Sequence, residues 1–124
     1  VAIIMDGNGR WGVKKKKSRN YGHKQGLETV EKIINAAILK KVKYLTLFTF
    51  STENWKRPKT EIKFLINILE HYVRKELDNL IKKNIKLKVI GNLEKFPKSL
   101  IQKLRKAEKL TRFNDKIHSS ISIF

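Results

Sequence analysis

The sequence predicts an α/β fold in which a parallel β-sheet is flanked by helices. Short apolar runs typical of buried strands alternate with longer segments of helical periodicity, in the order β-α-β-α-β-α-β. Consecutive parallel strands need a crossover connection, and a helix separates each predicted pair. No repeat, linker or change in composition divides the chain. We therefore expect residues 1–124 to form a single α/β domain.

The composition excludes several classes of protein. Of the 124 residues, 40% are hydrophobic and 32% are charged, which is typical of a globular domain rather than a disordered chain. The chain has no cysteine, so it has neither a disulfide framework nor a thiolate metal site. No apolar run approaches the roughly 20 residues that span a bilayer. A cytoplasmic protein is the expectation.

The first strand is predicted at Val1–Met5, a fully apolar run. It ends in a loop of two glycines, one carboxylate, one guanidinium and one indole, Asp6-Gly7-Asn8-Gly9-Arg10-Trp11. A glycine turn lets backbone N–H groups approach an anion. Arg10 offers a planar donor fork for phosphate, and Asp6 is a hard oxygen ligand for Mg²⁺. The alternative is a tight turn with a capping Asp and a surface Arg.

The segment from Lys14 to Gly22 is polar, and we predict a loop that is mobile without a ligand. A helix then begins at His23 or Lys24 and continues to about Lys41. Its apolar residues recur at helical spacing: Leu27, Val30, Ile34, Ala37 and Ile38. The β-branched and aromatic run 42–50 predicts a second, buried parallel strand.

A second polar loop, Ser51-Thr52-Glu53-Asn54-Trp55-Lys56-Arg57, ends at Pro58, which suits the first turn of a helix. That helix is predicted to reach Lys83. Its apolar stripe is wide, which indicates either a ligand tunnel or partner surface, or simply a well-covered core helix. The remaining predicted elements are a strand at 85–91, a helix at 97–112 and a strand at 116–124.

The two polar loops are expected to meet at one crevice, because the carboxyl ends of parallel strands share an edge of the sheet. Arg10, Arg19 and Arg57 are candidate phosphate ligands there, and Ser51 and Asn54 are neutral groups that would orient a second substrate group.

Other residues near these loops have two interpretations each. His23 either donates to an anion from a helix start or lies in an exposed turn. Trp11 and Trp55 either form one apolar wall beside the anion site or each plug an end of the core. Glu61 acts as an acid or base, or simply favours a helix start. His71 and His118 have no metal-ligand spacing, and we interpret both as structural.

Three motifs occur in order: VAIIMDGNGRW, R-x-x-x-H at Arg19 and His23, and FSTENWKRP. Together they closely resemble the cis-prenyltransferase family, within it the bacterial undecaprenyl diphosphate synthases. The resemblance covers nearly the whole chain and weakens after about Arg112. The sequence has no DDxxD carboxylate pair, which argues against an all-helical trans-type synthase.

The resemblance implies a Mg²⁺-dependent enzyme that extends an allylic diphosphate, typically farnesyl diphosphate, by cis additions of isopentenyl diphosphate. It implies that Asp6 is the catalytic Mg²⁺ ligand and that Asn54 takes part in proton removal. The implied substrate-binding residues are Gly7, Asn8, Gly9, Arg10, Trp11, Arg19, His23, Ser51, Thr52, Glu53, Trp55 and Arg57. The inner faces of the first two predicted helices would line a tunnel for the growing chain, whose final length the sequence does not set.

The family also continues beyond residue 124, into a further strand and an RTGGE-like segment that supplies isopentenyl diphosphate contacts and a second metal ligand. We therefore expect this chain to be a cis-prenyltransferase-like domain that is truncated at its C-terminus. On its own it should bind the allylic diphosphate weakly and turn over little or not at all. The family further implies a homodimer at full length.

The formal charge of +18 prompts other interpretations. A basic nucleic-acid-binding module would bind duplexes with a steep salt dependence and would be insensitive to Asp6→Ala. A non-catalytic prenyltransferase subunit usually lacks the Asp-containing loop, which is intact here. The third interpretation is that excess lysine solvates helix faces or helps docking on an anionic membrane. We expect an enzyme, without nucleic acid as a partner.

Overall fold

The computed structural model describes the backbone of residues 1–115 and 117–123, and their side chains except at 16 and 117–123. It contains strands β1 (Ala2–Ile4), β2 (Tyr44–Phe50), β3 (Ile85–Gly91) and β4 (Ile117–Ile123). The helices are α1 (Asn8–Lys16), α2 (Arg19–Leu39), α3 (Lys59–Lys82) and α4 (Lys98–Thr111), with a short 3₁₀ helix at Thr52–Lys56. The predicted α/β class is confirmed. The predicted fourth strand corresponds to β4, and residues 116 and 124 of that prediction lie outside the described residues.

The four strands form one parallel sheet in the order β1-β2-β4-β3. Strand β1 is paired with β2 in the register Ile3 to Leu47. One face carries the buried side chains Leu45, Leu47 and Leu87, against which α2 and α3 pack. The opposite face carries exposed residues, among them Ile4, which is 75% exposed.

Helix α4 covers the outer edge of β3. The backbone N–H of Leu87 donates to Oγ1 of Thr111 at 3.0 Å, and that of Val89 donates to a carboxylate oxygen of Glu108 at 3.0 Å. Asn114, just beyond α4, donates to the carbonyl of Ile85. An unpaired strand edge would otherwise expose these groups. Side chains therefore replace the missing neighbouring strand.

The expectation of a polar, mobile loop between Lys14 and Gly22 is wrong. Helix α1 continues to Lys16, and α2 begins at Arg19 rather than at His23 or Lys24, so most of this region is helical. The hydroxyl of Ser18 accepts a hydrogen bond from the N–H of Tyr21 at the start of α2. A serine cap of this kind is a sequence signal that was available. His23 consequently lies in the second turn of α2, not at its first residue.

Two glycines explain how α1 packs on α2. A Cβ atom on Gly12 would lie 2.2 Å from the carbonyl oxygen of Ser18, and one on Gly22 would lie 1.8 Å from the carbonyl oxygen of Asn8. The backbones of the two helices are therefore closer than any side chain permits. Gly12 and Gly22 therefore permit the close approach of α1 to α2.

Candidate functional site

The loops after β1 and β2 meet at the carboxyl edge of the sheet. Ile4 is paired with Phe48, and the N–H of Met5 donates to the carbonyl of Phe48 at 3.1 Å. The segments that follow β1 and β2 therefore leave the sheet side by side. Between them lies a cavity of about 120 Å³, which we call the edge cavity. Its lining residues are Met5, Asp6, Gly7, Asn8, Gly9, Arg10, Arg19, His23, Leu27, Thr49, Phe50, Asn54, Arg57, Leu65, Ile68 and Leu69.

The edge cavity brings together Asp6 and Arg57, as the parallel arrangement predicted. It also includes most other residues proposed from the sequence. The predicted residues that do not line it are Trp11, Ser51, Thr52, Glu53 and Trp55. The leucines and Ile68 come from α2 and α3 and form an apolar floor. Beside it lie charged residues from the segments after β1 and β2 and from the first turns of α1 and α2. Such a cavity suits a ligand with an anionic head and an apolar tail.

The loop after β1 turns sharply at Gly7, whose φ of 81° is in the left-handed region that favours glycine. The N–H of Gly7 donates to Oδ1 of Asp6 at 2.6 Å, and Nη2 of Arg10 lies 3.3 Å from Oδ2. The side chains of Asp6 and Arg10 are 69% and 75% exposed. Because both side chains are exposed, their charges remain accessible to a ligand. An exposed ion pair of this kind contributes little to stability.

One oxygen of Glu61 gathers three basic side chains. Its Oε1 accepts from Nε and Nη2 of Arg19, both at 3.2 Å, and from Nη1 of Arg57 at 3.4 Å. Nε2 of His23 lies 3.1 Å from the same oxygen. The Glu61 side chain is only 12% exposed. The interpretation of Glu61 as a residue that merely favours a helix start missed this role, because two of its three partners, Arg19 and His23, come from another helix.

Burial lowers the pKa of His23, and the charges of Arg57 and Arg19 lower it further. The hydrogen bond and negative charge of Glu61 oppose this shift without cancelling it. For Glu61, burial alone raises the pKa, but hydrogen bonds from His23 and Arg19 and the charges of both arginines outweigh it, so the pKa is lowered. At neutral pH the cluster therefore contains a carboxylate, two guanidinium groups and a neutral imidazole.

Asn54 is held by the turn after β2. Its Oδ1 accepts from the N–H of Ser51 at 2.8 Å, which forms one half of a capping box. The amide oxygen is thus engaged, and the amide nitrogen is the group left to face a ligand. Ser51 itself supports this turn and does not line the edge cavity.

The two tryptophans do not form a shared wall. Trp11 stacks on Tyr21 with a centroid distance of 6.0 Å and is 43% exposed. Trp55 packs edge-on against Phe50 at 4.9 Å and Phe96 at 5.2 Å. Trp55 therefore plugs the end of the core, the second of the two interpretations, and the prediction of one continuous apolar wall is wrong.

The donor set permits a hard divalent cation but does not enclose one. Asp6 is the carboxylate that lines the edge cavity. Among the side chains that the structure describes, no group of three acidic, histidine or cysteine residues is placed to hold a metal ion. Mg²⁺ is commonly bound by one or two carboxylates together with substrate phosphates. Asp6 fits this mode if an anionic ligand supplies the other oxygens.

Exposed lysines extend beyond the edge cavity. Lys14, Lys15 and Lys17 lie on or next to α1 and are exposed, and none of them lines the cavity. Among the helices of the described part of the chain, none is both long enough and apolar enough to cross a bilayer.

The sequence matches the family model described as "Putative undecaprenyl diphosphate synthase" over residues 4–123. It is 47% identical over 114 residues to an isoprenyl transferase of Clostridium tetani, which covers 92% of this chain and 45% of the relative. A ditrans,polycis-undecaprenyl-diphosphate synthase of Buchnera aphidicola, (2E,6E)-farnesyl-diphosphate specific, is 48% identical over 115 residues, 93% of this chain and 46% of the relative. The chain thus spans about half the length of these curated relatives.

Solved structures of two diphosphate synthases are among those that share the fold. Lavandulyl diphosphate synthase from Lavandula x intermedia, in complex with dimethylallyl diphosphate, is 29% identical with a TM-score of 0.93, covering 98% of this chain and 52% of that one. A probable undecaprenyl diphosphate synthase from Campylobacter jejuni is 32% identical with a TM-score of 0.77, again covering 98% and 52%. The parallel sheet and its flanking helices are therefore shared with diphosphate synthases.

Proposed function

This chain belongs to the undecaprenyl diphosphate synthase family, and from this premise we propose that it carries the allylic-diphosphate site of a cis-prenyl chain-elongating transferase. The reaction condenses isopentenyl diphosphate onto a farnesyl-type diphosphate to build a long polyprenyl diphosphate, the precursor of a lipid carrier. The supporting observation is the edge cavity, where Asp6, Arg19 and Arg57 stand beside an apolar floor. A nucleic-acid-binding site would not need an apolar cavity floor of this kind.

In this proposal the basic residues bind the diphosphate and the apolar residues bind the prenyl tail. When the allylic C–O bond breaks, its electron pair stays on the departing diphosphate. Preplaced donors that stabilise this growing charge lower the barrier. Arg10, Arg19 and Arg57 supply guanidinium N–H groups, and the turn at Gly7 brings backbone N–H groups close to the same region.

The remaining roles concern proton transfer and the metal. Asn54 faces the edge cavity through its amide nitrogen, a hydrogen-bond donor. It is proposed to assist proton removal by orienting the group that takes the proton from the isopentenyl carbon as the new double bond forms. Asp6 would hold Mg²⁺ jointly with the substrate diphosphate. The ion, when bound, neutralises charge on the leaving group.

The second substrate and the assembly are proposed for a protein of the relatives' length. In a protein of that length, isopentenyl diphosphate is the second substrate. That protein forms a homodimer and contacts an anionic membrane surface. For residues 1–124 alone, we propose allylic diphosphate binding with little or no turnover. Exposed lysines such as Lys14, Lys15 and Lys17 support the membrane contact, since each basic residue near an anionic surface adds attraction.

The experiment is calorimetric titration of the 124-residue chain with a farnesyl thiodiphosphate analogue, with and without Mg²⁺. We expect saturable binding that Mg²⁺ strengthens and that competing inorganic pyrophosphate displaces. A parallel assay follows radiolabelled isopentenyl diphosphate incorporation, where we expect little product. Equal binding of a random DNA duplex, with no binding of the analogue, would contradict the proposal and favour a nucleic-acid-binding module.

A further inference from the structure

The contacts of Glu61 link two separate helices at the mouth of the edge cavity. Arg19 and His23 lie one turn apart at the start of α2. Glu61 lies in the first turn of α3, and Arg57 lies four residues before it, just ahead of that helix. All three basic residues line the edge cavity. Glu61 does not, yet its Oε1 is the point where they meet. The carboxylate therefore stands behind the residues that would face a ligand.

The two guanidinium groups of Arg19 and Arg57, held this closely, repel one another unless an anion lies between them. Burial is the main cause of the lowered pKa of His23, and the positive charges of Arg57 and Arg19 lower it further. Without a ligand, Glu61 is the anion that offsets the repulsion. Its Oε1 accepts bonds from all three side chains at 3.1–3.4 Å.

These bonds leave donors available on each guanidinium group. Arg19 is engaged through Nε and Nη2, so Glu61 does not use its Nη1. Arg57 is engaged through Nη1, so Glu61 does not use its Nη2 or Nε. A guanidinium group has five N–H donors in a fixed plane. Hydrogen bonds from Glu61 to some of these donors therefore orient the whole guanidinium group and leave its other N–H donors for a ligand.

We infer that Glu61 is a positioning residue, whose carboxylate holds Arg19, His23 and Arg57 together in the arrangement that receives a diphosphate. The inference rests on the proposed function. A negative charge on an N-terminal turn also favours a helix. That effect needs no contact with α2, however, and does not account for the bonds from three side chains to one oxygen.

A carboxylate near a diphosphate also repels it, so two opposite outcomes are possible for Glu61→Gln. Glutamine keeps the length and one acceptor oxygen but removes the charge. If positioning dominates, the two arginines lose their restraint and ligand binding must order them again. We then expect inorganic pyrophosphate to bind about tenfold more weakly, from the usual cost of immobilising long side chains. If repulsion dominates, pyrophosphate binds more tightly, which would overturn the inference.

Glu70→Gln is the matched control. Glu70 also lies on α3 and pairs with a lysine, Lys103 of α4, but it is outside the edge cavity. Its loss removes one partly buried ion pair from the same helix, so we expect pyrophosphate affinity within twofold of wild type. Glu61→Asp restores the charge and should recover part of the affinity. Thermal unfolding of each variant identifies any that fails to fold.

Nitrogen-15 NMR provides a readout that does not depend on the ligand. The Nε–H signal of Arg19, which donates to Glu61, should be shifted and protected from exchange in wild type and in Glu70→Gln, and should lose both properties in Glu61→Gln. An unchanged signal in Glu61→Gln would overturn the inference. If wild type fails to bind pyrophosphate, the proposed function fails, and this signal still decides whether Glu61 holds the arginine.

Discussion

Nε2 of His23 lies 3.1 Å from Oε1 of Glu61, although 38 residues separate them in the chain. Both side chains are largely buried, with exposures of 9% and 12%. The pair joins α2 to α3 at the mouth of the edge cavity. Its protonation therefore affects both the stability of the fold and the charge that a ligand meets.

Stability should fall as the pH drops below about 6.5, the ordinary pKa of histidine. Burial lowers the pKa of folded His23, so between that lowered value and 6.5 the unfolded chain binds more protons. The free energy of unfolding therefore decreases with decreasing pH in this window. Thermal unfolding measured from pH 8 to pH 5 checks this. His23→Asn should flatten the curve, while the exposed His71→Asn should not; equal curves for all three would contradict the assignment.

Asp6→Asn should remove the effect of Mg²⁺ on diphosphate binding. An amide is a poorer ligand for a hard cation than a carboxylate, and Asp6 is the carboxylate that lines the edge cavity. We expect similar affinity for the thiodiphosphate analogue with and without Mg²⁺, measured by calorimetry. Asp78→Asn, an exposed change on α3, is the control and should keep the Mg²⁺ dependence. A normal response to Mg²⁺ in Asp6→Asn would place the ion elsewhere.

Arg57→Gln should weaken pyrophosphate binding by about 1.5–3 kcal/mol, the range for hydrogen bonds to charged groups. Arg57 is partly buried at the cavity, so its charge is less screened than that of a surface arginine. Competition against a labelled analogue measures the loss. Arg74→Gln removes an equal charge from an exposed position of α3 and serves as the reference. Equal losses in the two variants would mean that net charge, not position, governs binding.

Gly22→Ala should destabilise the fold by about 1–3 kcal/mol, as overpacking typically does. The added Cβ would lie 1.8 Å from the carbonyl oxygen of Asn8, a backbone atom that moves only if α1 moves. Gly26→Ala meets the side-chain amide of Asn8 instead, which can rotate away, so its cost should be smaller. Urea unfolding compares the variants. A Gly22→Ala protein as stable as wild type would mean that α1 is not held by this contact.

Local patterns in the sequence were enough for the sheet and for α3 and α4. Alternating or continuous apolar residues have one simple explanation in β2 and β3, and the long stripe of α3 has another. Asp6 and Arg57 could also be placed at one edge of the sheet without knowing the strand register, because the carboxyl ends of parallel strands lie at the same edge. These inferences need only periodicity and the geometry of crossovers.

Helix α1 and the role of Glu61 depend on contacts that periodicity does not report. Two of the nine residues of α1 are glycines, which disfavour helix in isolation. Gly12, together with Gly22 of α2, allows the backbones of the two helices to pack closely, which offsets this disadvantage. Glu61 likewise acquires its role from side chains 38 and 42 residues away. The packing of Trp11 and Trp55 could not be predicted for the same reason, since each contacts different aromatic residues that are distant in the sequence or on another element.

The side chains of α4 that cap β3 have a directional effect on the whole sheet. Thr111 and Glu108 occupy the donors along one lateral margin. Any additional strand, from whatever source, meets a closed margin there and can extend the ladder only beside β1. The sheet thus has one edge, at β3, that is capped by side chains of α4, and its other edge is formed by β1.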